Sequence, residues 1–166
     1  MCRLLQKQVN YLDYAVGANG VSTVSQKVEA LRQKTRPKCI AEMLSFLGFV
    51  GYYRWFCPDF ATVAWPLHLL TIKDSSFHWT DAEEQAFQTL KRQMIEAPVL
   101  AYSDHTKLYI LDTGSSAEAA GAVLSQKVDG EERVVSYYSK TFSSPQGYYC
   151  VTRRELLAAV LAVGHF

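Results

Sequence analysis

In Leu108-Tyr-Ile-Leu-Asp-Thr-Gly-Ser-Ser-Ala-Glu-Ala-Ala-Gly-Ala-Val-Leu-Ser-Gln126, apolar and polar residues alternate on both sides of a run of small residues. That is the pattern of strands with one packed face. Strands are expected over 107–113, 121–128 and 132–140. The last two turn at Asp129-Gly130, a dipeptide suited to the positive φ values of a tight hairpin. Beyond them the spacing becomes helical, with Leu156, Leu157, Val160, Leu161 and Val163 recurring along 146–166.

Working upstream, Ala97-Pro98 marks a boundary, because the residues before it follow a helical period. Thr80 followed by Glu83 spells a capping box that opens a helix through Phe87, Leu90 and Met94 to Glu96. A shorter helix is expected over 61–70, followed by a loop at 73–76. A longer helix, over 38–56 and stopped by Cys57-Pro58-Asp59, carries Ile40, Met43, Leu44, Leu47 and Val50. Pro37 separates it from a first helical stretch beginning at Ser25. The leading residues read as a strand pair, Leu4-Leu5 and then Val9 to Val16, closed by turn residues Gly17 to Gly20.

With 166 residues, 49% of them hydrophobic, the chain can bury a real core. The net charge of +1 selects no partner, but residues 1–56 hold 8 basic and 3 acidic side chains, the only region with a marked excess. The four cysteines show no Cys-x-x-Cys spacing, and no secretory signal precedes them, so a reducing intracellular compartment, cytoplasmic or nuclear, is expected. No apolar run approaches the roughly 18 residues of a membrane span. His68, His78, His105 and His165 share no ligand spacing, which argues against zinc.

Several ordered blocks together resemble the Pol polyprotein of gypsy-type LTR retrotransposons. Gln8-Val-Asn-Tyr-Leu-Asp-Tyr14, with Gly20-Val-Ser-Thr23 and Gln26-Lys-Val28, is similar to the end of a reverse transcriptase palm. Ser45-Phe-Leu-Gly48, Tyr52-Tyr-Arg54 and Phe56-Cys-Pro-Asp-Phe60 resemble the thumb signature, and Phe77-x-Trp79 through Ala97-Pro-Val-Leu100 the helix that closes it. The opening stretch, with Thr152-x-x-Glu155-Leu-Leu-Ala158, looks like the start of the RNase H domain. The resemblance implies an α+β fold: a short palm-derived β-hairpin over 1–24, a helical thumb over 25–96, and a truncated RNase H-like antiparallel sheet with one helix over 97–166. Its sheet should show an exposed edge.

The parent activity so implied is RNA-directed DNA synthesis coupled to cleavage of RNA in RNA:DNA hybrids, with magnesium as cofactor. The polymerase needs a Tyr-x-Asp-Asp turn, which these 166 residues do not contain, so a partial or decayed copy is expected. The nuclease uses four carboxylates around two metal ions about 3.5 to 4 Å apart. In this chain the first ligand's position is Gly114, the second is Glu155, and the other two lie on later elements. Glu155 reads either as a residual magnesium ligand or as a helix carboxylate near Arg153 and Arg154. Asp112 would face the same side as Gly114 but about 6.6 Å away along the strand, too far to substitute without a register shift. Both catalytic activities are therefore expected to be absent, with no metal held stably.

Asp112-Thr-Gly-Ser-Ser116 also spells an aspartic protease strand, but that chemistry needs a second Asp, and the residues that follow keep the RNase H pattern. A rival reading is a nucleic-acid-binding module. By the resemblance, Tyr11 and Leu12 match a primer-gripping hairpin, in which Asp13 and Tyr14 depart from the pattern. Arg32, Lys34, Arg36 and Lys38, with Arg54, would track an RNA:DNA or DNA duplex. Tyr52 and Trp55 are expected in the core. No small-molecule substrate or membrane is implied, and the other expected partner is the rest of the Pol polyprotein.

Overall fold

A computed structural model describes residues 6–72 and 77–166. Cys2, the strand expected at Leu4-Leu5 and the loop expected at 73–76 lie outside the described residues. The chain opens with strands β1 (Gln8–Tyr11), β2 (Tyr14–Gly17) and β3 (Gly20–Thr23), paired antiparallel in that order. The single strand read across Val9 to Val16 is thus split. Leu12 and Asp13 take φ of 47° and 63° and form a turn within it. The reason is tertiary: the Tyr52 hydroxyl donates to the Leu12 carbonyl at 2.5 Å and the Tyr53 hydroxyl to the Asp13 carbonyl at 3.0 Å. A Lys27–Asp13 ion pair at 3.3 Å holds the same turn.

Four helices follow: α1 (Ser25–Arg32), α2 (Ile40–Tyr52), α3 (Phe60–Leu69) and α4 (Asp81–Ile95). A 3-10 turn, Arg54–Phe56, completes the stretch expected as one helix to residue 56. Helix α2 buries Met43, Phe46, Leu47 and Val50, at the i, i+3, i+4, i+7 spacing of one face. Helix α4 answers with Ala86, Phe87, Leu90 and Met94. Its start is the capping box: Thr80 Oγ1 accepts from the Ala82 N–H at 3.3 Å, and the Glu83 carboxylate accepts from the Thr80 N–H at 2.8 Å.

The second sheet holds β4 (Tyr109–Ser115), β5 (Ala119–Val128) and β6 (Glu131–Thr141), antiparallel in the order β4-β5-β6, so β4 is an outer strand. Asp129 and Gly130 take φ of 54° and 85° at the expected hairpin turn. A one-turn helix α5 (Ser144–Gly147) precedes α6 (Val151–Val163), and Ala120 of β5 packs with Phe142 and Ala158 beneath α6.

The helical core does not stop at residue 97. Leu100 joins it and pairs with Val21, each N–H donating to the other's carbonyl at 2.8 Å. Against the sheet, the Ala61 N–H donates to Ser139 Oγ at 3.0 Å and the Ala101 N–H to the Val134 carbonyl at 2.8 Å. Gly121 completes the seam. A Cβ there would meet the end of the Asp59 side chain, so the bare glycine lets that carboxylate lie against β5, and a larger residue would turn it aside.

Burial raises three weak acids of the helical core. Tyr14 and Tyr53 are pushed from 10.0 to about 12, chiefly by burial, and the buried Cys57 thiol from 9.0 to about 12 by the same cause. The unfolded chain releases these protons first, so above pH 9 it binds fewer protons than the folded one, and stability falls as pH rises. Urea midpoints should hold up to about pH 9 and drop between pH 9 and 12. A midpoint constant across that window would contradict the assignment.

Candidate functional site

The second turn of α6 places Glu155 beside the end of β4. Ser115 donates to Glu155 Oε1 twice, from its hydroxyl at 2.7 Å and from its backbone N–H at 3.3 Å. The half-buried carboxylate is therefore engaged by the strand, and among the described residues it forms no ion pair with Arg153 or Arg154. Ser115 is the residue that sequence reasoning passed over. Its signal was its place next to Gly114.

The register decides which side each group faces. Ser115 lies opposite Ala120 and Gly114 opposite Gly121. Ala120 belongs to the α6 face, since it packs with Ala158, whereas Gly121 faces Asp59 at the start of α3. Successive strand residues alternate between faces, so Gly114 and Asp112 project toward the α3 side and Glu155 approaches from the other. A Cβ at Gly114 would meet nothing within 4 Å, so the position has room for a side chain. Asp112 is exposed and pairs across the ladder with Val123, away from Glu155. Among the described residues no group of three or more His, Cys, Asp or Glu side chains could hold a metal ion. The donors present do not fit a two-metal site.

The other candidate residues lie on the helical half. Tyr11 and Leu12, 65% and 67% exposed, form the tip of the β1–β2 hairpin. Arg32, Lys34, Arg36 and Lys38 are all exposed on the segment leading from α1 to α2. That segment is pinned to α4: Lys91 Nζ donates to the Arg32 and Lys34 carbonyls at 3.2 and 2.7 Å, and the Arg36 guanidinium lies 4.8 Å from the Trp79 ring centre. Arg32 pairs with Glu29 at 3.6 Å. Arg54 donates to the Ser139 carbonyl, tying the 3-10 turn to β6. Tyr52 and Trp55, expected in the core, are 44% and 42% exposed, and Tyr53 at 2% takes the buried place. Tyr52 instead stacks on Tyr14 at 5.2 Å, and Trp55 on His165 at 5.6 Å.

A β-meander, a helical layer and a three-stranded antiparallel sheet carrying its helix follow one another in this order, a mixed architecture of the reverse transcriptase and RNase H-like fold. The chain belongs to the family of RNase H-like domains found in reverse transcriptase, whose family model matches residues 79–166. Over 166 residues it is 34% identical to the Transposon Tf2-3 and Tf2-4 polyproteins of Schizosaccharomyces pombe (strain 972 / ATCC 24843), matching 99% of this chain and 12% of each polyprotein. It thus spans about an eighth of the length of these curated relatives, the matched share being 12%. Among solved structures, the foamy viral protease-reverse transcriptase dRH in complex with double-stranded DNA is similar at a TM-score of 0.81 and 20% identity, covering 96% of this chain and 28% of that one. The foamy viral protease-reverse transcriptase in complex with RNA/DNA hybrid gives 0.79 and 20%, covering 96% of this chain and 22% of that one. At that identity the likeness is one of fold.

Proposed function

We propose that the chain is a piece of a retrotransposon-derived reverse transcriptase and RNase H, with a palm-derived sheet over 1–24, a thumb over 25–96 and the start of the RNase H-like domain over 97–166. The parent activity is RNA-directed DNA synthesis with cleavage of RNA in RNA:DNA hybrids. On its own, this polypeptide is inactive in both reactions. One observation carries that reading: Glu155 is bonded to Ser115, while the position of the family's first carboxylate is Gly114, which has no side chain to hold a metal. Magnesium belongs to the parent enzyme's chemistry, and Glu155 is the one residual ligand here. Asp112 does not replace the missing one. Incubation with a labelled RNA:DNA hybrid and magnesium, beside a Glu155→Gln variant, tests this.

A second reading, binding of an RNA:DNA or DNA duplex through the thumb, is favoured by the exposure of Tyr11, Leu12, Arg32, Lys34, Arg36 and Lys38 on the helical half. The similar foamy viral proteins were solved with such duplexes. Arg54 contributes through its exposed flank. A labelled RNA:DNA hybrid should shift at low salt and lose the shift as salt rises, since phosphate contacts release counterions. Neutralising Arg32, Lys34, Arg36 and Lys38 together should abolish it. No shift by the unaltered chain at low salt would remove this reading.

A further inference from the structure

Where the 3-10 turn meets β6 and the end of α6, a cleft of about 320 Å³ is lined by Arg54, Trp55, Tyr138, Ser139, Lys140 and His165, with Tyr137 beside them. Its chemistry differs from that of its surroundings in three respects. Three rings form one stack, His165 lying 5.6 Å from Trp55 and 4.4 Å from Tyr138, with interplanar angles of 30° and 28°. Two cations, Arg54 and Lys140, share the lining, and no carboxylate does. Both cations keep donors to offer: Arg54 gives one to the Ser139 carbonyl and has five in all, and Lys140 is exposed and forms no ion pair among the described residues.

A ligand for this cleft must be flat enough to join the ring stack and negatively charged enough to satisfy two cations that no acidic side chain offsets. A nucleotide has both properties. Its base stacks on exposed aromatic faces, a contact indifferent to base identity, and its phosphate accepts charge-assisted hydrogen bonds from arginine and lysine. The volume falls at the low end of the range for small-molecule sites and matches one nucleotide better than a duplex. His165 itself fills the place between Trp55 and Tyr138, so a base would extend the stack from the exposed face of Trp55, which is 42% exposed. A neighbouring cavity that Trp55 also lines, with Tyr14, Val21, Phe56 and Leu100, contains no cation and meets neither half of the requirement.

We propose that the cleft between the 3-10 turn and β6 binds a single nucleotide, with its base on the Trp55–His165–Tyr138 stack and its phosphate between Arg54 and Lys140. The source is either a free nucleotide or one unit of a single strand. This site is separate from the duplex track at 32–38; Arg54 is the residue the two readings share, and variants at Lys140 and Trp55 test the cleft without touching that track.

Calorimetric titration of the full chain with AMP tests the assignment, with adenosine, inorganic phosphate and a short oligodeoxyadenylate as comparison ligands. AMP should bind saturably and more tightly than adenosine or phosphate alone. Displacement of AMP by the oligonucleotide assigns the site to a strand, and indifference to it assigns the site to free nucleotide. Lys140→Glu should weaken AMP roughly tenfold or more, about the worth of one charge-assisted contact, whereas the same charge change at the exposed, distant Lys127 should leave it unchanged. Trp55→Leu should weaken AMP to a similar degree, and a melting curve checks that this variant folds. Absence of saturable AMP and oligonucleotide binding would overturn the proposal. Equal weakening by Lys127→Glu would do the same, because it would reduce the effect to net charge.

Discussion

Gly20→Ala is expected to lower stability by about 3 to 5 kcal/mol, although it adds only one methyl group. Gly20 holds φ at +134°, a conformation that L side chains rarely adopt and that costs on the order of 1 to 3 kcal/mol when forced. A Cβ there would also overlap the backbone carbonyl of Leu100, which cannot swing aside as a side chain would. Relief requires parting Val21 from Leu100, whose two mutual hydrogen bonds are worth about 1 kcal/mol each. For a chain of this length the melting midpoint should fall by about 10 °C. Gly17→Ala, where a Cβ meets only ordinary contacts, should have a much smaller effect. Equal melting temperatures for the two variants would show that the β3–Leu100 junction is not formed as described.

Phe87→Ala should cost a similar amount, roughly 3 to 5 kcal/mol, through a cavity instead of a clash. The ring is 1% exposed at the centre of the helical core. It lies 4.7 Å from Phe46 and 5.9 Å from Trp79 between ring centres, with Lys91 Nζ 5.3 Å from its own. Removing it empties the contact between α2 and α4 and loosens Lys91, which pins the 32–38 segment. A urea midpoint that drops sharply for Phe87→Ala and recovers most of the loss for Phe87→Leu is the expected pattern. A Phe87→Ala midpoint unchanged from the parent would place the residue outside the core.

Local signals in the sequence were enough for the elements whose causes are local. Thr80 and Glu83 lie three residues apart and satisfy each other's backbone, so the start of α4 could be read directly. Asp129-Gly130 needs only its own φ values to turn β5 into β6. The apolar spacing of α2 and α4 likewise marked the faces that are buried. What the sequence hid depends on groups distant along the chain. Leu12 and Asp13 carry no turn signature, and their positive φ is held by Tyr52 and Tyr53, about forty residues away. Gly121 is one of several small residues in its stretch, and the neighbour that singles it out, Asp59, lies on a different element.

The candidate site divides in the same way. The resemblance alone marked Gly114 and Glu155 as positions of interest in the strand and the helix. The face on which each group lies was not marked, because it follows from the pairing of β4 with β5 and from the side on which α6 packs. Nor could the sequence foretell that the Ser115 hydroxyl occupies the Glu155 carboxylate. Trp55 and Tyr52 matched a core pattern by residue type, yet the burial went to Tyr53 between them. Adjacent aromatics leave that choice to tertiary packing.

The central claim, that this polypeptide retains the RNase H scaffold without its metal-dependent chemistry, is tested most directly by incubating the purified chain with a labelled RNA:DNA hybrid and magnesium. The account predicts no cleavage above that of a Glu155→Gln variant prepared in parallel. Magnesium-dependent cleavage by the parent chain that disappears in Glu155→Gln would contradict it, since Glu155 would then be working with donors that the arrangement of β4 and α6 does not supply.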